Sequence, residues 1–145
     1  MLITKKNQYA LRAIFELAKH NGEGPRKISE VAQAQAIPEK FLEVILSQLK
    51  GSGLVDSKRG FYGGYYLIRS PEKITVGDIM RFMERDMDLS DCIALVTETN
   101  CPFKGHCAFY PMWTKVKDAI FKVYDETTIQ NLLDNEQDSA NCQQL

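Results

Sequence analysis

Apolar residues in the first fifty positions recur at helical spacing in three separate runs. In the first run Thr4 is the predicted N-cap, and the helix should end near residues 21–25, which include two glycines and a proline. The second run predicts a short helix capped by Ser29, and the third predicts a helix from Pro38 to about Leu49. The apolar positions are Ala10, Ala13, Ile14, Leu17 and Ala18 in the first helix and Phe41, Leu42, Ile45, Leu46 and Leu49 in the third.

The pattern then changes to that of a β-hairpin. Residues 54–57 and 65–68 are predicted strands, and the glycine-rich residues 58–64 form the predicted tip between them. The two preceding short helices, joined by a tight turn, fit a helix-turn-helix, although an ordinary helical bundle explains them almost as well. The hairpin favours the helix-turn-helix, because a hairpin directly after the recognition helix is the wing of a winged helix.

Beyond the hairpin, Thr75 is the predicted N-cap of a further helix, and a long amphipathic helix is predicted over residues 111–134. A domain of this size offers little to cover that apolar stripe, so we expect it to pair with a second copy rather than pack within its own domain. The expected fold is mainly α with a small β-hairpin wing. It divides into a winged helix-turn-helix (1–70), a connecting helix and cysteine-bearing loop (71–110), a dimerisation helix (111–134) and a polar tail (135–145).

The net charge of −1 conceals an uneven distribution. Residues 1–70 carry 11 Lys and Arg against six Asp and Glu, whereas residues 71–145 carry seven against 13. A half with a net charge of +5 can lie on phosphates while the other half, at −6, faces away from them. The chain has no apolar run long enough for a bilayer and no secretory signal pattern, so we expect a cytoplasmic protein without a membrane partner.

Three of the four cysteines, Cys92, Cys101 and Cys107, fall within sixteen residues. Cysteines so grouped in a cytoplasmic chain indicate metal or redox chemistry, because persistent disulfides are rare there. The close pairs typical of structural zinc are missing, which disfavours a zinc finger. Thiolates bind iron–sulfur clusters, and three sulfurs leave one ligand position open. Candidates for that position are His106, Tyr110, Cys142 and a partner-subunit side chain such as Gln8.

Taken together, these residues resemble the iron–sulfur-sensing winged-helix repressors of the IscR, NsrR and RirA kind, over about residues 1–133. The resemblance is carried by Leu2-Ile3-Thr4, Tyr9-Ala10-Leu11-Arg12, Ile28-Ser29-Glu30-Val31-Ala32, Ile37-Pro38, Phe41-Leu42-Glu43, Leu46-Ser47-Gln48-Leu49, residues 53–60, Gly63-Gly64-Tyr65, residues 74–79 and the three-cysteine loop. It implies a homodimeric, DNA-binding transcription regulator rather than an enzyme. It also implies that the three cysteines hold a 2Fe–2S or 4Fe–4S cluster that reports redox state, nitric oxide or iron.

The resemblance further implies that the helix from Pro38 lies in the major groove of double-stranded DNA, with the wing near the minor groove. The operator should be nearly palindromic, because two copies of the helix meet it about one turn apart. The candidate contacts are Lys40, Glu43, Ser47 and Gln48 on the helix and Lys58 and Arg59 on the wing.

The chain departs from the family pattern at the ligands. The first cysteine gap is longer than in IscR-like members, Tyr110 replaces a ligand histidine, and Gln8 replaces the acidic ligand of NsrR-like members. Cluster type and fourth ligand therefore stay open.

Two other functions compete with cluster sensing. In the first, Cys101 and Cys107 switch as thiols or as a disulfide, without metal. The second is an enzyme with a nucleophilic cysteine and His106 as its base. We set the enzyme aside, because neighbours in sequence do not make a catalytic pair in space and the glycines of the hairpin lack a nucleotide-binding setting. No catalytic residue is assigned.

Overall fold

The computed structural model describes residues 4–84, 102–103 and 106–142. Within these ranges the chain forms six α-helices and one antiparallel hairpin, which confirms the predicted fold class. The helices are α1 (Lys5–Lys19), α2 (Ile28–Gln35), α3 (Glu39–Leu49), α4 (Val76–Met83), α5 (Tyr110–Glu126) and α6 (Ile129–Cys142). The strands are β1 (Val55–Lys58) and β2 (Gly64–Leu67). Cys92, Cys101 and most of the predicted cysteine-bearing loop lie outside the described residues.

Helix α1 forms the centre of the core, as its apolar spacing predicts. The Thr4 hydroxyl accepts a hydrogen bond from the Asn7 N–H at 3.2 Å, which confirms Thr4 as the N-cap. All five predicted apolar positions of this helix are buried. Helices α2, α3, α4 and α6 pack around it.

The predicted cap of α2 is wrong. The N-cap is Lys27, and Ser29 lies exposed in the first turn. The Glu30 carboxylate accepts a hydrogen bond from the Lys27 N–H at 2.9 Å. Because Arg26 exchanges two backbone hydrogen bonds of 2.8 Å with Tyr65 of the hairpin, the chain is extended at residue 26 and the helix begins directly after it.

A tight turn connects α2 to α3. Ala36 adopts a left-handed conformation with φ of 51°, and the buried Ile37 donates its N–H to the Ala32 carbonyl at 2.9 Å. Pro38 is the N-cap of α3, so that helix begins one residue later than predicted. The assignment of Phe41 to its buried face is wrong, because Phe41 is 63% exposed while the other four predicted positions are buried.

The hairpin pairs Val55 with Leu67 and Lys58 with Gly64, one residue from the predicted strand bounds. Its tip requires glycine at position 63, since a Cβ there would overlap the Lys58 carbonyl oxygen. Gly60 has φ of 111°, in the region that favours glycine.

The long helix predicted over 111–134 is divided into α5 and α6. No proline or glycine causes the break. Instead, Thr127 is extended and its carbonyl accepts the Val76 N–H at 2.9 Å, while the Ile129 N–H donates to the Ile74 carbonyl at 2.9 Å. Docking of this turn on residues 74–76 reverses the chain. The polar segment from position 135 continues as helix to Cys142 instead of forming a loose tail.

The predicted division into four segments remains a prediction, and side-chain packing crosses it. Ile74, Ile79 and Ile129 are fully buried in the same cluster as the apolar residues of α1 and α3. Among the described helices, none is both long and apolar enough to cross a membrane.

The N-cap of α4 gives a stability prediction. The Thr75 hydroxyl accepts the Asp78 N–H at 3.0 Å, and the Asp78 carboxylate accepts the Thr75 N–H at 3.0 Å, which confirms the predicted cap. Thr75→Ala should lower the free energy of unfolding by about 1 kcal/mol in urea titration. Ser29→Ala, which removes no such bond, should change it by less than about 0.5 kcal/mol. Equal losses in the two variants would contradict this assignment of the caps.

Candidate functional site

The outer face of α3 carries the predicted groove-contacting residues. Lys40, Glu43, Ser47 and Gln48 are all exposed, and Leu42, Ile45, Leu46 and Leu49 are buried on the opposite side. The buried residues fix the helix on α1, so the exposed side chains belong to a rigid element. Their contacts with DNA stay a prediction.

Two apolar residues on this face escaped the sequence reasoning. Phe41 is 63% exposed and Val44 is 57% exposed, beside the polar candidates. Apolar side chains in a major groove contact thymine methyl groups, so both suit a base-reading helix. Spacing alone could not place Phe41 outside, because it lies one helical turn before the buried Ile45. The one indication in the sequence is that Val44, outside the predicted buried face, is apolar, so that apolar residues are not confined to one side of this helix.

The hairpin presents a basic and aromatic tip. Lys58 and Arg59 are exposed, as are the two residues that follow Gly60, Phe61 and Tyr62. The backbone pairing of Arg26 with Tyr65 ties the hairpin to the start of α2. The wing is therefore held against the helix-turn-helix by main-chain bonds.

The predicted phosphate-contacting cations carry no competing carboxylate. No ion pair between described residues involves Lys40, Lys58 or Arg59. Some cations elsewhere in this half are paired, for example Lys50 with Asp56 at 3.9 Å. Unpaired exposed cations are available to replace the counterions of a phosphate backbone.

Of the predicted cluster ligands, the described residues include Cys107, His106, Tyr110 and Gln8. Cys107 is a half-buried free thiol three residues before α5, and its carbonyl accepts the Tyr110 N–H at 3.3 Å. His106 and Tyr110 are exposed beside it, and Gln8 is exposed on α1. Within the described ranges, no three His, Cys, Asp or Glu side chains are grouped as a metal site. The Cys107 thiol can serve as one thiolate ligand of an iron–sulfur cluster, and an imidazole such as that of His106 also occurs as a ligand of such clusters.

The C-terminal half of α5 is anchored to α4. Arg81 donates two hydrogen bonds to the Asp125 carboxylate, one of them at 2.6 Å, and its guanidinium lies 4.7 Å from the centroid of the Phe121 ring. Hydrogen bonding to Arg81 lowers the pKa of Asp125, and the same bond raises the pKa of Arg81. Gly77 leaves room for this pair, since a Cβ there would overlap the Asp125 carboxylate.

The outward side of α5 is apolar. Met112, Val116 and Val123 are 47%, 36% and 60% exposed, and with the exposed Ala119 they recur at intervals of four, three and four residues. That spacing is typical of the apolar residues along the interface of a two-helix coiled coil. Nothing among the described residues covers this stripe.

A half-buried carboxyl group at the C-cap of α4 gives a pH prediction. Burial raises the pKa of Glu84 above its ordinary value of 4.5, although a hydrogen bond from Asn7 Nδ2 at 2.9 Å opposes the shift. Burial and the Glu84 charge also raise the pKa of Tyr124. Ionisation of Glu84 thus costs more in the folded chain than in the unfolded one, and stability is lost as pH rises from 4.5 through the folded pKa. The Glu84→Gln variant has no ionisable group at this position. Its free energy of unfolding, relative to that of the wild type, should therefore increase as the pH rises through this range. A pH-independent difference in urea titrations between pH 4 and 8 would contradict this role.

Residues 3–135 match the model of the Rrf2 family, described as iron-dependent transcriptional regulators. The chain belongs to the Rrf2 family. It is accordingly a DNA-binding transcription regulator, and the predicted resemblance to IscR-like proteins is confirmed.

Both IscR and CymR are among the similar Rrf2 proteins. The regulator CymR of Bacillus subtilis is 39% identical over 132 residues, covering 91% of this chain and 89% of the relative. Its structure, described as that of the global cysteine regulator, superposes with a TM-score of 0.70. T. potens IscR superposes with a TM-score of 0.75 at 33% identity, covering 96% of this chain and 90% of that one. The oxidized form of Staphylococcus aureus CymR has a TM-score of 0.69 at 30% identity and covers 91% and 95%.

Proposed function

We propose that this Rrf2-family protein is a homodimeric repressor whose two α3 helices occupy neighbouring major grooves of a near-palindromic operator. The observation that carries the proposal is the combination of a rigidly held outer face on α3 with the unpaired Lys58 and Arg59 of the wing. Two-fold related helices reach half-sites about 34 Å apart, one turn of the duplex. A dimer bound across that span would block access to a promoter beneath it.

The dimer would form through the apolar stripe on α5 defined by Met112, Val116, Ala119 and Val123. Its coiled-coil spacing suits pairing with the same helix of a second copy, and two-fold pairing is the commonest arrangement of identical chains. In such a dimer, Gln8 of the partner subunit would be a candidate cluster ligand, as would His106 and Tyr110 of this chain.

The DNA contact of the wing is tested through its salt dependence. Arg59→Ala should weaken binding and reduce the slope of log affinity against log salt by about one, because each phosphate contact releases condensed counterions. The probe is a duplex selected from a random-sequence library by the wild-type protein. Lys122→Gln, an exposed charge change on α5, is the matched control and should leave the slope unchanged. An unaltered slope in Arg59→Ala would contradict a phosphate contact at this position.

For the signal, we propose that Cys92, Cys101 and Cys107 hold an iron–sulfur cluster, with the fourth position open to His106, Tyr110 or the partner's Gln8. Such a cluster would contain iron that reacts with oxygen or nitric oxide and is lost when iron is limiting. The iron whose ligand is not a thiolate would be the most readily altered. The chain supplies the thiolates and, through Cys107, a direct covalent link to α5. The family description as iron-dependent regulators and the similarity to IscR support this function.

A thiol switch without metal is the second candidate. It is favoured by the 39% identity to CymR, described as a global cysteine regulator, and by the solved oxidized form of the S. aureus protein. Here Cys101 and Cys107 would form or release a disulfide. Anaerobic purification separates the two candidates: iron, sulfide and visible absorption identify the cluster, whereas a colourless protein whose DNA affinity follows the thiol oxidation state identifies the switch.

A further inference from the structure

Two large aromatic side chains stand at the end of the wing with almost no cover. Phe61 is 78% exposed and Tyr62 is 85% exposed, more than any other large hydrophobic residue of the described chain. Neither contributes to the core clusters. Aromatic rings left in water at the tip of a hairpin indicate a partner that covers them.

The tip holds these rings in a defined arrangement. They pack edge to face with centroids 5.0 Å apart, and Lys27 Nζ lies 5.1 Å from the centroid of Phe61. The Gly63 N–H donates to the Gly60 carbonyl at 3.0 Å and closes the turn beneath them. The pair is thus presented to solvent by a closed turn, and Lys27 fixes one ring.

The charges around the rings define the partner. Lys58 and Arg59 precede the pair in the tip, and Lys27 lies against it. Two carboxylates close by in the sequence, Glu30 and Asp56, are already paired with Arg26 and Lys50. A surface with flat apolar rings among cations fits a polyanion that also offers apolar faces, which describes the bases and sugars of a nucleic acid. A second copy of the tip fits poorly, because its cations would face these.

We propose that Phe61 and Tyr62 enter the minor groove of the operator and wedge into a base step there. The inference rests on the proposed function and adds to it a contact whose strength does not come from charge. Apolar wedges between base steps partly unstack them and kink the duplex. The wing thereby reads how easily the flanking DNA deforms, since flexible pyrimidine–purine steps open at lower cost.

The test compares Phe61→Ala/Tyr62→Ala with Arg59→Ala on the duplex selected by the wild-type protein. The double variant should bind about tenfold to 100-fold more weakly at every salt concentration, with the wild-type salt slope retained. Arg59→Ala should reduce the slope. Tyr62→Phe keeps the ring and should bind as the wild type does. Thermal unfolding of each variant verifies that the exposed substitutions leave the fold intact.

A second measurement locates the wedge. 2-Aminopurine placed at successive flanking steps should brighten at one step when the wild-type protein binds, and the double variant should abolish that increase. Unchanged affinity of the double variant, or wild-type brightening in it, overturns the proposal. The proposal is also overturned if the free wild-type protein forms oligomers larger than a dimer and the double variant does not. The rings would then bind another copy of the chain. If Arg59→Ala and the double variant both leave binding unchanged, the proposed role of the whole wing fails; an effect of Arg59→Ala alone removes only the wedge.

Discussion

Val116→Glu/Val123→Glu should dissociate the proposed dimer at concentrations where the wild type is expected to be paired. The two substitutions place carboxylates at two positions of the exposed stripe on α5, and two-fold pairing would set the carboxylates of one chain against those of the other. Like charges facing each other in an interface cost several kcal/mol, so the dimer dissociation constant should rise by roughly 100-fold or more. Sedimentation velocity across a concentration series measures the change.

The same variant should lose operator affinity, although it leaves α3 and the wing untouched. Binding to a near-palindromic site requires two half-site readers in one particle, and a monomer retains one. Lys122→Gln also makes the charge more negative by one, at the residue next to Val123. Because that residue lies about 100° around the helix from Val123, the variant should remain a dimer. An undiminished dimer in the double variant would show that the stripe is not the pairing surface.

Replacement of Cys92, Cys101 and Cys107 by Ala should abolish iron and sulfide content and all visible absorption after anaerobic reconstitution. Thiolates are the ligands that iron–sulfur clusters require, and the remaining candidates could not hold one without them. Cys142→Ala removes the cysteine outside the loop, and an unchanged spectrum in that variant would exclude Cys142 as the fourth ligand. Operator affinity of the triple variant should differ from that of the reconstituted wild type, measured on a panel of selected duplexes.

Loss of colour in the triple variant, with equal affinity on every duplex, would show that the cluster does not control DNA binding. A wild-type protein that is itself colourless and free of iron after reconstitution would remove the cluster altogether. The thiol switch would then be tested by comparing affinities of the reduced and oxidised protein.

Much of the fold follows from local pattern. The cap at Thr4, the cap at Thr75 and the hairpin each depend on residues close in sequence, and the structure reproduces them. The wrong predictions share a different cause, which is hydrogen bonding to residues distant in the sequence. Ser29 is not the cap because a distant strand residue pairs with Arg26, and the predicted long helix breaks at Thr127 because that residue bonds to Val76. Neither bond leaves a signal in the local sequence.

The site divides in the same way. The polar residues of α3 are predicted because the family resemblance places this helix in the major groove. The exposed Phe41 is misplaced because its spacing from Ile45 matches that of the buried face. Phe61 and Tyr62 are not predicted as site residues, since the features of a hairpin tip that indicate DNA contact are its cations and glycines. Cysteine spacing indicates a shared function for the three thiols, but spacing alone fixes neither the fourth ligand nor the type of cluster.

The break after α5 leaves the C-terminal end of that helix anchored. Phe121, Tyr124, Asp125 and Thr127 all hold its last turns to α4, and α6 returns to the main body, where Lys19 pairs with Glu136 at 2.9 Å. The other end, about 25 Å away, begins three residues after Cys107. We therefore expect a displacement at the cysteine to tilt the helix about a pivot at Thr127. Two such levers crossing in a dimer would alter the distance between the DNA-reading helices while leaving each of them internally unchanged.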